Sequence, residues 1–291
     1  MTASHGPVDR GARHSQEARV AEHYDVNTRK FARRAQTGAG GTIHRAVWAP
    51  GLTTREEAYH FAERRALTCL EALPRRAPLD VVDLGCGTGA TLTWLATRHA
   101  GFSGVGVTLS GDQVERATQR TARAGLGPRL RFVRASFLSV PLADQSCDLA
   151  IAVESFLHGP DAGAFFREVA RLLRPGGRLL LVDDFLSPGT PASAAGLDDF
   201  VRGWRVGTLV SREDAVATAE QAGLVLSSSS HLTDWLELGR ARDTLIAVLV
   251  ALGARRILDR PAWGALVGGH ALQRGLQRGL LQYWELQFTP R

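Results

Sequence analysis

Long apolar runs, cysteine and lysine are the scarce features of this 291-residue chain, and each scarcity excludes something. No apolar run approaches the roughly 18 residues that a membrane-crossing helix needs, so no membrane span is expected. The opening MTASHGPVDRGARHSQ has no apolar core of the kind an export signal carries. Cys69, Cys86 and Cys147 are isolated and odd in number. They fit neither a disulfide framework nor a zinc site and suit a reducing, cytoplasmic setting. Lys30 is the only lysine among 35 basic side chains, and the arginines are spread along the chain. The net charge of +6 therefore reads as composition, and no nucleic-acid partner is expected; there is no basic tail and no NPPY-type base-flipping motif. A modest positive field still favours an anionic small substrate. What is present is a globular composition, 44% hydrophobic and 22% charged, long enough for one large domain or a domain with a cap.

Residues 1–16 are polar and predict a disordered tail. Residues 17–78 predict an N-terminal helical cap, with a helix over 17–36 and a loop from Gly38 to Gly51. An amphipathic helix over 54–73 follows, carrying Ala58, Phe61, Ala62, Leu67, Leu70 and Leu73 and stopped by Pro74. From 79 onward strands at 80–84, 102–108, 130–134, 147–153 and 178–184 alternate with helices at 89–99, 111–124 and 161–173. That rhythm predicts βαβ units, a parallel sheet and helices on both faces. A helical insertion over about 190–219, a strand at 224–233, helical stretches at 236–257 and 262–278 and a last strand at 280–288 complete the 79–291 domain. A strand arriving after so long a helical passage is expected to lie antiparallel. The apolar, aromatic N-terminal segment is a candidate interface for a homo-oligomer.

The densest signal is Val81-Val82-Asp83-Leu84-Gly85-Cys86-Gly87-Thr88-Gly89. It reads as a buried strand with an acid near its end and three alternating glycines that open a helix. Such a turn lets backbone and a helix N-terminus approach a nucleotide-like ligand. GCGTGA also satisfies the relaxed dinucleotide fingerprint, but that fingerprint wants an acid about 20 positions on to hold a ribose. Here that place falls on Gly106-Val107-Thr108-Leu109-Ser110, with no carboxylate, while Asp83 stands ahead of the glycines where it could meet a cationic ligand.

DLGCGTG, followed in order by VTLS, VESFLH and LLRPGGRLLLVDDF, resembles the class I S-adenosylmethionine-dependent methyltransferases over roughly residues 79–186. The resemblance implies an α/β, Rossmann-like fold with a seven-stranded mixed sheet whose last strand is antiparallel. It places Asp83, Gly85 and Gly87 at the methionine end of S-adenosylmethionine, Thr108, Leu109 and Gln113 near its ribose and adenine, and Ser136 and Phe137 beside the adenine ring. Thr108 departs from the commoner Asp or Glu there; a hydroxyl still bonds a ribose hydroxyl, without charge assistance. GVTLSGDQV and AEHYDVNTRKF are similar to the branch of cyclopropane fatty acid synthases and sterol C-methyltransferases, whose HYD-type segment folds over the cofactor, which adds Tyr24.

That branch methylates carbon, often at an alkene. The chemistry asks for aromatic faces near a carbocation, a base, and exclusion of water. Glu154, just past the apolar strand Leu149–Val153, is the candidate base, its pKa expected to rise in an apolar pocket; His158 is the competing base. HYDVNTRKF, GTIHRAVW and VESFLH together resemble the bacterial prenyl diphosphate C-methyltransferases. By that resemblance Asn27, Arg29 and His44 face an isoprenoid diphosphate, with Mg²⁺ held by phosphate oxygens and water rather than by protein ligands. Arg202 and Arg205 are further anion candidates, and Trp48, Tyr59, Phe156, Phe185 and Trp204 are candidates to wall an isoprenoid pocket. The rivals are an O- or N-methyltransferase of another small hydrophobic natural product and a non-catalytic protein retaining the fold.

Overall fold

The computed structural model describes residues 10–35, 44–74, 78–251 and 260–291. Five strands, β1 (Leu79–Leu84), β2 (Phe102–Thr108), β3 (Leu130–Arg134), β4 (Cys147–Val153) and β5 (Leu173–Leu186), run parallel as neighbours. The order is β3-β2-β1-β4-β5-β7-β6, with β7 (Leu281–Pro290) antiparallel between β5 and β6 (Leu224–His231). The sheet is thus the seven-stranded mixed one expected.

Its central strands are buried on both faces, which explains their unbroken apolar runs. The period of two divides them between two cores. Val81, Leu149, Ile151, Leu180 and Val182 face one; Val82, Leu84, Ala150, Ala152, Leu179 and Leu181 face the other. The helices between strands begin at side-chain caps: Ser110 accepts from Gln113 N ahead of α5 (Gly111–Arg123), and Asp161 accepts from Ala164 N ahead of α6 (Ala162–Leu172). Phe156 and Phe185, expected to wall a pocket, instead belong to a fully buried ring stack with Phe165, Phe166 and Phe288 in the second core.

Several boundaries differ from expectation; β5 starts at Leu173 rather than at 178, running through the expected RPGG turn, and three other differences bear on the site. Helix α1 (Arg10–Ala35) begins inside the predicted tail; Arg13 pairs with Asp161 there, and Gln16 Nε2 donates to the Arg205 carbonyl at 2.7 Å, so tertiary contacts order a polar stretch. Residues 1–9 of that tail lie outside the described residues. The helix expected over 54–73 breaks at His60 into α2 (Arg55–Tyr59) and α3 (Phe61–Glu71), α2 starting in a Thr54–Glu57 capping box. The 190–219 insertion divides. Of α7 (Asp198–Trp204) and α8 (Arg212–Gln221), only α7 reaches the cap; Ala215 and Ala219 of α8 are buried in the second core with Leu224. The rest of the cap comes from α9 (Ala241–Ala251) and α10 (Arg260–Gln277), between β6 and β7. No described helix is long and apolar enough to cross a membrane.

Candidate active site

The carboxyl ends of β1, β2, β4 and β5 open into a cavity of about 930 Å³, walled above by residues of α1, α7, α9 and α10. At one end the turn after β1 forms the floor. Asp83 is 4% exposed, and its Oδ2 is buried without a hydrogen-bond partner. Burial, reinforced by nearby Glu63, raises its pKa to about 7. A lone buried carboxylate calls for a cation or a donor from a ligand. Gly85 holds φ +98°, and a Cβ there would lie 2.4 Å from Ser155 Cβ; at Gly87 a Cβ would meet nothing within 4 Å, which leaves open space. Helix α4 (Ala90–Arg98) then starts without a side-chain cap, so its first N–H groups are left for a ligand. Across the cavity Thr108 Oγ1 donates to Gln113 Oε1 at 2.6 Å, and Leu109 and Phe137 complete that wall. A lone acid, open space beside a glycine, bare helical N–H groups and hydroxyl and amide groups opposite fit the ammonium, carboxylate and ribose hydroxyls of S-adenosylmethionine.

The other end carries a charged network. Glu154 adopts φ +50°, a left-handed conformation that costs a non-glycine residue about 1 kcal/mol. Arg45 meets it there: its backbone N and its Nε each donate to Glu154 Oε1 at 3.1 Å, and its terminal nitrogens hold Asp184 at 2.9 and 2.7 Å. Tyr283 of β7 donates to the same Oε1 at 2.8 Å, and the Arg45 guanidinium sits 3.9 Å from the Tyr283 ring centre. Burial acts to raise the Glu154 pKa, but Arg45, His44 and the Tyr283 hydroxyl together hold it below the usual range. The raised pKa expected from the sequence is therefore corrected. The wall around Glu154 is not apolar, because an arginine 109 positions away is packed onto it. Beside it, burial raises Asp184 despite Arg45, and burial together with Asp184 pushes Asp183 well above the carboxylate range.

His158 ends a 3-10 turn (Phe156–His158), and its Nε2 lies 2.7 Å from the Tyr24 hydroxyl of α1. Burial and then His23 lower its pKa to about 4, so the ring is neutral near pH 7. Burial, then Glu154 and Asp183, raise the Tyr24 hydroxyl, which keeps its proton. Both residues line the cavity.

Of the other expected residues, Tyr59 and Trp204 line the cavity. His44 does so at the Asp83 end, with Nε2 3.1 Å from Thr91 Oγ1. Ser136 is turned to Glu17 and the Leu138 backbone, so Ala135 and Phe137 form the wall around it. Arg202 is 70% exposed and pairs with Asp199 one turn away, and Arg205 Nη1 donates to the Arg202 carbonyl; neither lines the cavity. Trp48 lies outside the lining, under the Arg55 guanidinium. The side chains of Asn27 and Arg29 lie outside the described residues. The described arginines that do line the cavity are each held by carboxylates: Arg45 as above, Arg55 by Glu237, and Arg240 by Glu237 and Asp243. Among the described residues no group of three or more His, Cys, Asp or Glu is arranged to hold a metal ion. Arg45, Asp184 and Tyr283 were not singled out from the sequence. The acid doublet Asp183-Asp184 inside an apolar strand was the one available signal; Arg45 and Tyr283 gain meaning only from the fold.

A family model described as a methyltransferase domain matches residues 82–181. The chain is 33% identical to methyltransferase GfsG of Streptomyces halstedii over 232 residues, which is 76% of this chain and 81% of that relative. It is 34% identical to the 27-O-demethylrifamycin SV methyltransferase of Amycolatopsis mediterranei, with 67% and 71% covered. Among solved structures it is similar to a geranyl diphosphate C-methyltransferase from Streptomyces coelicolor A3(2), with a TM-score of 0.69 over 98% of this chain and 100% of that one, at 16% identity.

Proposed function

This chain belongs to the S-adenosylmethionine-dependent methyltransferases, and from that premise we propose that it methylates a hydroxyl oxygen of a small, largely apolar natural product, with His158 as the final proton acceptor. The observation that carries this reading is the 2.7 Å contact between Tyr24 and a neutral His158 inside the cavity. Phe200, Trp204, Leu236, Ile246, Leu266 and Leu272 give the acceptor side an apolar lining. The identity to a rifamycin O-methyltransferase supports a hydroxylated acceptor.

When bound, the cofactor supplies a methyl group already activated on positively charged sulfur. The protein moves the proton. As the acceptor oxygen takes the methyl, its proton passes to Tyr24 Oη, and the proton of Tyr24 passes to His158 Nε2. Positive charge is relocated across the cavity rather than created in it, so a ring of low pKa serves as acceptor. The nearby Glu154 charge favours the imidazolium. Glu154 itself, held by Arg45 and Tyr283, acts as a fixed negative charge in this scheme.

The second reading is C-methylation of a prenyl diphosphate alkene with Glu154 as base and Mg²⁺ on the diphosphate. It is favoured by the ionised Glu154 in the cavity wall and by the fold shared with geranyl diphosphate C-methyltransferase. It ranks lower because the described cavity arginines are already engaged by carboxylates. His158→Asn and Glu154→Gln separate the two. Under the first reading His158→Asn lowers kcat by about 10²–10⁴-fold with cofactor affinity unchanged, and Glu154→Gln does less; the reverse order supports the second.

A further inference from the structure

Among the described residues, the face that α10 turns to the cavity is apolar except at two places. Leu266, Gly269, Leu272 and Leu276 line the cavity, and between them stand His270 and Gln273. These two are three residues apart, so their side chains leave the same side of the helix. Gln273 Oε1 is buried and has no hydrogen-bond partner. A carbonyl oxygen withdrawn from water without a donor calls for one from a ligand. Rotation about the terminal side-chain bond interchanges this oxygen with the amide NH2, so either can meet a ligand. No described residue hydrogen-bonds the His270 ring. Burial, then Arg274, lower its pKa against the pull of Asp243, so the ring is neutral near pH 7 and offers one donor and one acceptor. A Cβ on Gly269 would meet only Trp204 Nε1, at 3.7 Å, which leaves room beside His270. The nearest cation in the lining, Arg240, is held by Glu237 at 3.1 Å and Asp243 at 3.4 Å. Two neutral groups, each able to donate and to accept, suit a hydroxyl, which does both.

We propose that His270 and Gln273 form a neutral subsite that binds a second hydroxyl of the acceptor, one that is not methylated. Tyr24 and His158 meet the reacting hydroxyl; the α10 pair holds another and so sets which way the acceptor lies. The acceptor is then a compound with at least two hydroxyls on an apolar frame. This deepens the reading of a hydroxylated, largely apolar acceptor and rests on it, but it does not depend on which atom takes the methyl.

The test is calorimetric titration of the full chain, saturated with S-adenosylhomocysteine, with three matched probes: a linear alkanol, the α,ω-diol of the same length, and that diol with one end methylated. Chains of six to twelve carbons cover the span of the cavity. The wild-type protein is expected to prefer the diol to its methyl ether by about five- to twentyfold, one neutral hydrogen bond on top of the twofold statistical gain of two identical ends. Gln273→Met, which keeps the side-chain length, and His270→Phe are each expected to lower that preference to about twofold. Alkanol affinity is expected to stay within about twofold, and affinity for S-adenosylhomocysteine to be unchanged. A wild-type preference of no more than twofold at every length, or a full preference that survives in either variant, overturns the assignment. A preference that follows these expectations while the methyl label lands on carbon would overturn the oxygen-methylation reading and support the subsite.

Discussion

The two ends of the cavity are built by opposite means. The cofactor end comes mainly from one continuous stretch, residues 81–91, where backbone turns do the shaping and Asp83 is left without a partner. The acceptor end is assembled from α1, residues 45–46, α7, α9, α10 and β7. There, the described arginines are already matched to carboxylates. One end is incomplete until a charged ligand arrives; the other presents internally neutralised charge and apolar walls. Under the proposed function, a site made this way reads its cofactor by charge and its acceptor by shape.

The harshest way to break the contrast is at the cofactor end. Gly85→Val puts a branched side chain at φ +98° where a Cβ alone is 2.4 Å from Ser155. Denaturant unfolding is expected to show a loss of about 3 kcal/mol or more, accompanied by loss of cofactor binding. At the acceptor end, Arg45→Met leaves Asp184 and Glu154 without their shared cation. A stability loss on the order of 3 kcal/mol is expected by the same measurement, partly relieved at low pH where the carboxyls protonate. Smaller is the pH response of the cofactor end. Asp83, raised to about 7, is protonated in the ligand-free protein below that pH, and an ammonium group beside it favours the ionised form. Affinity for S-adenosylhomocysteine therefore strengthens as pH rises toward 7, by up to about tenfold per unit, and levels off above; Asp83→Asn flattens the curve. A steeper affinity at low pH contradicts this. Least of all, Arg202→Ala is expected to shift stability by under about 0.5 kcal/mol and to leave turnover unchanged, since the Arg202 side chain pairs with Asp199 on the surface.

The same contrast explains what could be read before the structure. Val81–Gly89 is local, so strand, acid and glycines announce themselves by spacing, and the mixed sheet follows from alternating apolar runs. The strands around it were legible because burial on both faces leaves only Val, Leu, Ala and Ile in Leu149–Val153 of β4 and Leu179–Val182 of β5. Glu154 and His158 were found because they follow such a strand. Their electrostatics were not, because Arg45, Tyr24 and Tyr283 arrive from segments 109 to 134 positions away. Phe156 and Phe185 carry the same aromatic signal as Trp204, yet only packing decides which ring meets the cavity and which enters the core. The helix break at His60 and the early start of α1 are likewise tertiary outcomes.

The central claim is that methyl goes to oxygen with His158 collecting the proton. Its most direct test is the position of the label after incubation with methyl-labelled cofactor and a panel pairing hydroxylated natural products such as 27-O-demethylrifamycin SV with prenyl diphosphates of several lengths. The account predicts label on a hydroxyl oxygen of an alcohol acceptor, lost in His158→Asn, and none in the diphosphates. Label on an alkene carbon of a prenyl diphosphate, with turnover surviving in His158→Asn, would contradict it.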